Sequence, residues 1–159
     1  MGLDMYLYVN KYESKTHWNK NKNISIKDFY PKELHYLANK HYKRNFLSKV
    51  TMYQIGYWRK ANAIHNWFVE YCGNGEDKCQ EMYVSMKHLD MLQKECEKAI
   101  ANKEQASAIL PTKKGCFFGS LEYDDYYFED IKYTIELVKR VKSFLKKNKE
   151  YECWYQASW

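Results

Sequence analysis

The segment that constrains the fold most is the stretch from Asp124 to Leu145, which contains no glycine or proline. Its apolar residues recur at three- and four-residue steps, which places them on one stripe of an α-helix. Asp124 or Asp125 can cap its amino end, because a carboxylate accepts hydrogen bonds from the free N–H groups of a first turn. We therefore predict a long helix whose core-facing stripe is Phe128, Ile131, Ile135, Val138 and Leu145.

Charge along this helix follows the same axis. Six acidic residues lie between Glu122 and Glu136, and six basic residues lie between Lys139 and Lys149. The helix dipole favours this order by about 0.3–1 kcal/mol for each well-placed charge. The acidic group at 122–125 could instead bind a metal ion or a sugar hydroxyl, but capping explains it with fewer assumptions.

Other segments carry strand or helix patterns. Apolar and polar residues alternate in the strands, with a period of two. Proline at a first turn, serine as a cap and glycine at an end mark the helices. The predicted strands are Leu3–Val9, Val50–Tyr57, Met82–Val84, Cys116–Phe118 and Glu150–Trp159, and the further helices are 24–42 after Pro31, Lys60–Tyr71 and one capped by Ser85.

The length of 159 residues is enough for one domain with its own core. We predict an α+β fold, in which a small, mainly antiparallel sheet that includes both terminal strands packs against three to four helices. Residues 1–159 form this single domain, and residues 11–23 are expected to be a mobile basic loop. Aromatic residues make up 18% of the chain, and such numbers favour either a packed core margin or a binding surface.

The net charge of +6 is concentrated in one region. Residues 11–49 hold ten Lys/Arg against three Asp/Glu, whereas the rest of the chain holds 16 against 17. A local basic region favours an anionic partner, although solvated lysines on a loop would give the same pattern. Five widely spaced cysteines form no zinc pattern, and no leader or long apolar run is present. We therefore expect no metal or cofactor, no membrane association and a cytoplasmic location.

A polar stripe is predicted on the helix that starts near residue 60. Arg59, Asn62 and Asn66 would share it and present several N–H donors suited to phosphates or carbonyls. Plain exposure or helix capping is the alternative. His65 lies among apolar positions, where a hydrogen-bonded core histidine is favoured over a catalytic base. Motifs of nucleophilic, metal-dependent or phosphate-loop enzymes are absent from the sequence, which favours binding over catalysis.

Four stretches resemble a family of small phage and prophage proteins of unassigned function. They are MGLDMYLYV, YWRKANAIHNWFV, LPTKKGCFFGSLEYDDYYFEDIKYTIELV and CWYQASW. The resemblance covers both ends and the middle of the chain and carries no functional residues with it. It implies a small non-catalytic protein in a bacterial host cell that counters host defence, by sequestering nucleotide immune signals or by blocking a host protein.

The sequence leads to one functional hypothesis and two alternatives. The hypothesis is sequestration of an anionic, nucleotide-derived small molecule such as a cyclic nucleotide or an ADP-ribose-type signal. The alternatives are an inhibitor that binds nucleic acid or a host protein through residues 11–49, and a nucleotide hydrolase or phosphodiesterase. The two terminal segments are aromatic strands, and an exposed strand edge invites pairing, so we also predict a homo-oligomer. The candidate ligand-binding residues are Arg59, Asn62, Asn66, Trp67, Lys113, Lys114, Tyr123 and Tyr126.

Overall fold

Four antiparallel strands form one sheet, and helices complete an α+β fold, as the sequence predicts. The computed structural model describes residues 2–16, 30–35 and 46–159. The sheet order is β2-β1-β4-β3. The strands are β1 (Asp4–Thr16), β2 (Phe46–Arg59), β3 (Met82–Val84) and β4 (Tyr151–Ser158), and the helices are α1 (Asn62–Cys72), α2 (Met86–Ala101), α3 (Ala106–Ile109) and α4 (Asp125–Lys147), with short 3-10 turns at Lys32–Leu34 and Lys103–Gln105.

One face of the sheet is buried in the hydrophobic core. Successive side chains of a strand point to opposite faces, so the alternation in the sequence decides which residues are buried. Leu3, Met5, Leu7 and Val9 are buried on or just before β1, and β4 buries Cys153, Tyr155 and Ala157 in the same way. Burying one large apolar side chain contributes roughly 1.5–3 kcal/mol, so this register is strongly favoured.

Helix α4 lies against the buried face of the sheet. Asp124 caps it, since its Oδ1 accepts from the N–H of Tyr127 at 3.0 Å. Further along, the indole Nε1 of Trp58 on β2 donates to the Thr134 hydroxyl at 2.9 Å. A side chain at Gly56 would come within 2.4 Å of Leu137, so glycine allows this strand and helix to approach closely.

Helices α1 and α2 complete the core. Phe68 on α1 stacks on Tyr155 of β4, with ring centroids 4.0 Å apart and planes 11° from parallel. Ser85 caps α2 as predicted, because its hydroxyl accepts from the N–H of His88 while the His88 ring accepts from the N–H of Ser85. Helix α2 then packs along α4, and the Lys142 ammonium on α4 pairs with Asp90 on α2.

Two expectations about the strands are wrong. The oligomer hypothesis relied on open edges at the terminal strands, yet β1 and β4 are the two inner strands and the sheet edges are β2 and β3. Cys116–Phe118 is a turn instead of a strand, because Phe117 has a left-handed φ of 61° and is exposed. A strand needs extended φ values, and only Phe118 of the three is buried.

The contacts between residues divide the chain into two compact units. One unit is residues 1–10 with 52–159, and the other is residues 11–51. In the smaller unit, Tyr30 exchanges hydrogen bonds with the backbone of Ser48 and Lys49 pairs with Glu13 at 3.1 Å. Strand β1 continues through Thr16, so residues 11–16 of the expected loop are strand.

Much of the basic region lies outside the described residues. This applies to 17–23 of the expected loop and to all of the expected helix 24–42 except residues 30–35. Pro31 precedes a single 3-10 turn there. Within the described ranges, no helix is long and apolar enough to cross a membrane.

Candidate functional site

The eight candidate residues do not converge on one site. Arg59, Asn62 and Tyr126 line one cleft, which we name the carboxylate cleft. Asn66 lines a second cleft with Lys113 and Lys114, which we name the lysine cleft. The predicted polar stripe is wrong for Arg59, which belongs to strand β2, whereas Asn62 and Asn66 do lie one turn apart on α1.

Asn62 organises the loop between α3 and α4. Its Nδ2 donates to the carbonyl oxygens of Phe118 at 3.1 Å and Ser120 at 2.7 Å, and its Oδ1 accepts from the backbone N–H of Lys113 at 3.0 Å. The side chain is only 3% exposed. Its amide is already occupied by the loop, so Asn62 positions Lys113 and is not a free donor for a ligand.

The carboxylate cleft has a volume of about 310 Å³ and is mainly acidic. Arg59 lies at its rim, where its guanidinium pairs with Asp4 at 2.9 Å and Tyr57 also donates to that carboxylate. The Arg59 side chain is 55% exposed, so its pairing with Asp4 does not bury the guanidinium charge. Four carboxylates line this cleft, from Glu122, Asp124, Glu129 and Asp130.

Asp130 is the unusual acid of the carboxylate cleft. Burial, together with the nearby charges of Glu129 and Asp124, raises the pKa of its carboxyl to about 6. A group that titrates near neutral pH can serve acid–base chemistry, but such shifts also arise in purely structural clusters. The four acids outnumber the two cations of this cleft, Arg59 and Lys60, so its net charge disfavours a phosphate.

The lysine cleft has a volume of about 270 Å³. Lys113 and Lys114 are exposed on its loop side, and Trp159 lines it with an indole that is 47% exposed. Asn66 contributes an Oδ1 that is shielded from solvent and has no hydrogen-bond partner among the described residues. Leaving such an oxygen unpaired costs roughly 1–3 kcal/mol.

A hydrogen-bonded chain closes the floor of the lysine cleft. The Nε2 of His65 lies 3.0 Å from Asp77 Oδ2, and Nδ1 lies 2.7 Å from the Tyr155 hydroxyl. Burial lowers the pKa of His65, although Asp77 opposes the shift, and burial raises the pKa of Tyr155 well above its usual value. A neutral His65 therefore donates from Nε2 to Asp77 and accepts at Nδ1 from Tyr155.

These contacts agree with the hydrogen-bonded core histidine that the sequence favours for His65. Both ring nitrogens of His65 already have partners, and the residue is buried. A general base needs a nitrogen within reach of the substrate. Asp77 is similarly engaged, because its other oxygen accepts from Trp159 Nε1 at 3.2 Å.

The three aromatic candidates occupy separate environments. Trp67 is buried, and its Nε1 donates to Glu95 at 2.6 Å. Tyr123 is half-buried, and its hydroxyl accepts from the backbone N–H of Thr112 at 3.2 Å. Tyr126 is 77% exposed at the carboxylate cleft. None of these rings lines the lysine cleft, where Trp159 is the exposed aromatic face.

Sequence reasoning missed Trp159 and Asp77 as cleft residues. The alternating pattern places Trp159 in a strand, and the polar pattern places Asp77 in a loop. The closing aromatic signal is visible in the sequence, but its proximity to Lys113 and Lys114 depends on contacts distant in sequence. In the described ranges, no three side chains of His, Cys, Asp or Glu converge as metal ligands.

Comparisons with protein-family models, curated proteins and solved structures found no match to this chain. The function must therefore be inferred from the geometry and chemistry of the chain's own residues.

Proposed function

We propose that the protein binds a phosphorylated, nucleotide-like small molecule in the lysine cleft and does not alter it. The observation that carries this proposal is the shared lining of one cleft by Lys113, Lys114 and the half-exposed indole of Trp159. Ammonium groups attract phosphate oxygens, and an exposed aromatic face stacks on a nucleobase.

The lysine cleft holds two basic and two acidic side chains, so its attraction for an anion comes from the two lysines and not from a net charge. The acids are Glu70 and Asp77. Asp77 accepts hydrogen bonds from His65 and Trp159 at its two oxygens, so both oxygens already have donors. Lys113 and Lys114 form no ion pair within the described residues, which leaves their ammonium groups available for a phosphate.

The size of the cleft favours a compact ligand. Its volume of about 270 Å³ lies near the lower end of small-molecule sites, which span roughly 300–1,000 Å³. A mononucleotide or one half of an ADP-ribose-type molecule suits this space. A cyclic dinucleotide would have one nucleotide outside the cleft.

Binding without turnover is supported by the engaged state of His65. In this cleft neither His65 nor Asp77 has an uncommitted atom positioned as a general base. The resemblance to phage proteins would give such binding a purpose, namely removal of a nucleotide signal from a bacterial host. Sequestration, phage origin and host location are all part of the proposal.

The proposal is tested by thermal unfolding with a panel of ligands: AMP, ADP, cyclic AMP, ADP-ribose, cyclic ADP-ribose and cyclic dinucleotides. At least one should raise the melting temperature of the parent, because a ligand that binds only the folded state stabilises it. The double variant Lys113→Gln/Lys114→Gln should melt like the parent without ligand and lose that stabilisation.

Lys132→Gln is the matched control, because it removes a positive charge from an exposed position on α4. It should retain the stabilisation seen for the parent. If no nucleotide stabilises the parent, or if the double variant is stabilised equally, the lysine cleft is not a nucleotide site. If the partner is nucleic acid instead, the affinity of the protein for that nucleic acid should fall steeply between 50 and 200 mM salt.

A further inference from the structure

A third cavity lies against the carboxyl-terminal half of α4. It has a volume of about 450 Å³, and β1, β2, the carboxyl-terminal half of α4 and the start of β4 contribute its walls. We name it the apolar groove. It contains none of the candidate residues of the lysine cleft.

The floor and walls of the apolar groove differ in exposure. Val9, Leu137 and Val141 form a floor of core residues that are 3–4% exposed. Tyr53 and Phe144 stand in the walls and are 51% and 38% exposed. Large apolar side chains left open to water beside a concave surface are a common mark of a ligand site.

Arg140 is the charged residue of the apolar groove. It is exposed on α4 and forms no ion pair or hydrogen bond within the described part of the chain. Among the described residues, no acidic side chain lines the groove. The neighbouring Lys139 and Lys142 are already paired with Glu97 and Asp90 on α2, so Arg140 is the cation that an anionic head group would meet. An apolar body with one negative head group is therefore complementary to it.

We propose that the apolar groove binds a free, single-chain amphiphilic anion, such as a medium-chain carboxylate, with its hydrocarbon chain on Val9, Leu137 and Val141 and its head group at Arg140. This ligand differs in chemistry from the one proposed for the lysine cleft. Burying the chain removes apolar surface of both partners from water, and the guanidinium–carboxylate contact fixes its direction.

The test is calorimetric titration of the full chain with decanoate below its micelle concentration, with decanol and decyltrimethylammonium as matched ligands. Decanoate should bind more tightly than decanol, and the cation more weakly than either. Arg140→Gln should weaken decanoate roughly tenfold or more, because one charge-assisted hydrogen bond is lost. It should leave decanol unchanged.

Variants at other positions show whether decanoate binds in the apolar groove. Lys132→Gln removes a charge two turns before Arg140, about 12 Å along the helix, and should bind decanoate like the parent. Lys113→Gln/Lys114→Gln should also bind normally, which separates the groove from the lysine cleft. Phe144→Ala removes an exposed ring from the wall of the groove and should weaken the binding of decanoate and of decanol equally.

Several results would overturn the proposal. They are no binding of decanoate, equal affinity of the parent and Arg140→Gln, or equal affinity for decanoate and the cation. Binding only to anionic vesicles that contain no free decanoate would point to a membrane surface and would also contradict it.

Discussion

The Oδ1 of Asn62 accepts a hydrogen bond from the backbone N–H of Lys113 at 3.0 Å, so a buried residue at the start of α1 sets the position of the lysine cleft's loop. Asn62→Ala should lower the free energy of unfolding by about 2–4 kcal/mol, because buried groups of the loop lose their partners. Urea unfolding measures this change.

Asn66→Ala is the matched control for that substitution, one turn later on α1. The Asn66 Oδ1 has no partner among the described residues, so its removal should cost less than about 1 kcal/mol. Asn62→Asp should be at least as unstable as Asn62→Ala, since a carboxylate would face the carbonyl oxygens of Phe118 and Ser120. Equal effects at positions 62 and 66 would contradict the assigned role of Asn62.

Asp130 should give stability an unusual dependence on pH. Its pKa is raised from 3.8 to about 6, so the folded state takes up a proton between these values and gains stability as the pH falls through 6. Asp130→Asn removes the cost of the buried charge. At pH 7 the variant should be more stable than the parent, by at most about 3 kcal/mol, and the difference should shrink toward pH 4.

Unfolding of Asp130→Asn at pH 7, 6, 5 and 4 measures that trend. Glu136→Gln provides the control, because it removes an exposed charge from the same helix. Its effect should be small and nearly constant over this range. A gain for Asp130→Asn that does not depend on pH would show that the carboxyl is not perturbed.

His65 contributes a dependence on pH of the opposite sign. Its folded-state pKa is below the usual 6.5, so the unfolded chain binds the proton first and stability falls as the pH drops below 6.5. Asp77 raises this pKa, against the larger effect of burial. Asp77→Asn should therefore lower the pKa further, which NMR titration of the His65 ring measures.

Glu76→Gln is the control for the His65 titration. The Glu76 side chain is exposed and pairs with Lys78, so its loss should leave the titration unchanged. An unchanged pKa in Asp77→Asn would contradict the 3.0 Å contact between Asp77 and His65.

Local sequence patterns are sufficient to predict most of the described helices and strands. The alternation in Leu3–Val9 and the stripe on α4 follow from burial of one face, and Ser85 and Asp124 cap their helices by side-chain chemistry that the sequence displays. The order of strands is not accessible from local patterns, because it depends on pairing between distant segments. Self-association stays a prediction. It can no longer be argued from the terminal strands, because neither of them is an edge of the sheet.

The clefts are harder to predict for the same physical reason. The charge of Lys113 and Lys114 is plain in the sequence, but their proximity to Trp159 depends on how β4 ends beside the loop. Asn62 has the right chemistry for a ligand contact, yet the backbone of residues 113–120 uses that chemistry first. A polar stripe in a sequence does not distinguish these two uses.

The most direct measurement of the central claim is an NMR titration of the tryptophan indole N–H signals with each nucleotide of the panel, with Trp159 assigned through Trp159→Phe. The Trp159 indole lines the lysine cleft, whereas that of Trp58 is buried against Thr134. We expect at least one nucleotide to move the Trp159 signal and leave Trp58 unchanged, with no movement of Trp159 in Lys113→Gln/Lys114→Gln. A Trp159 signal that no nucleotide moves, or that moves equally in the double variant, would contradict nucleotide binding in this cleft.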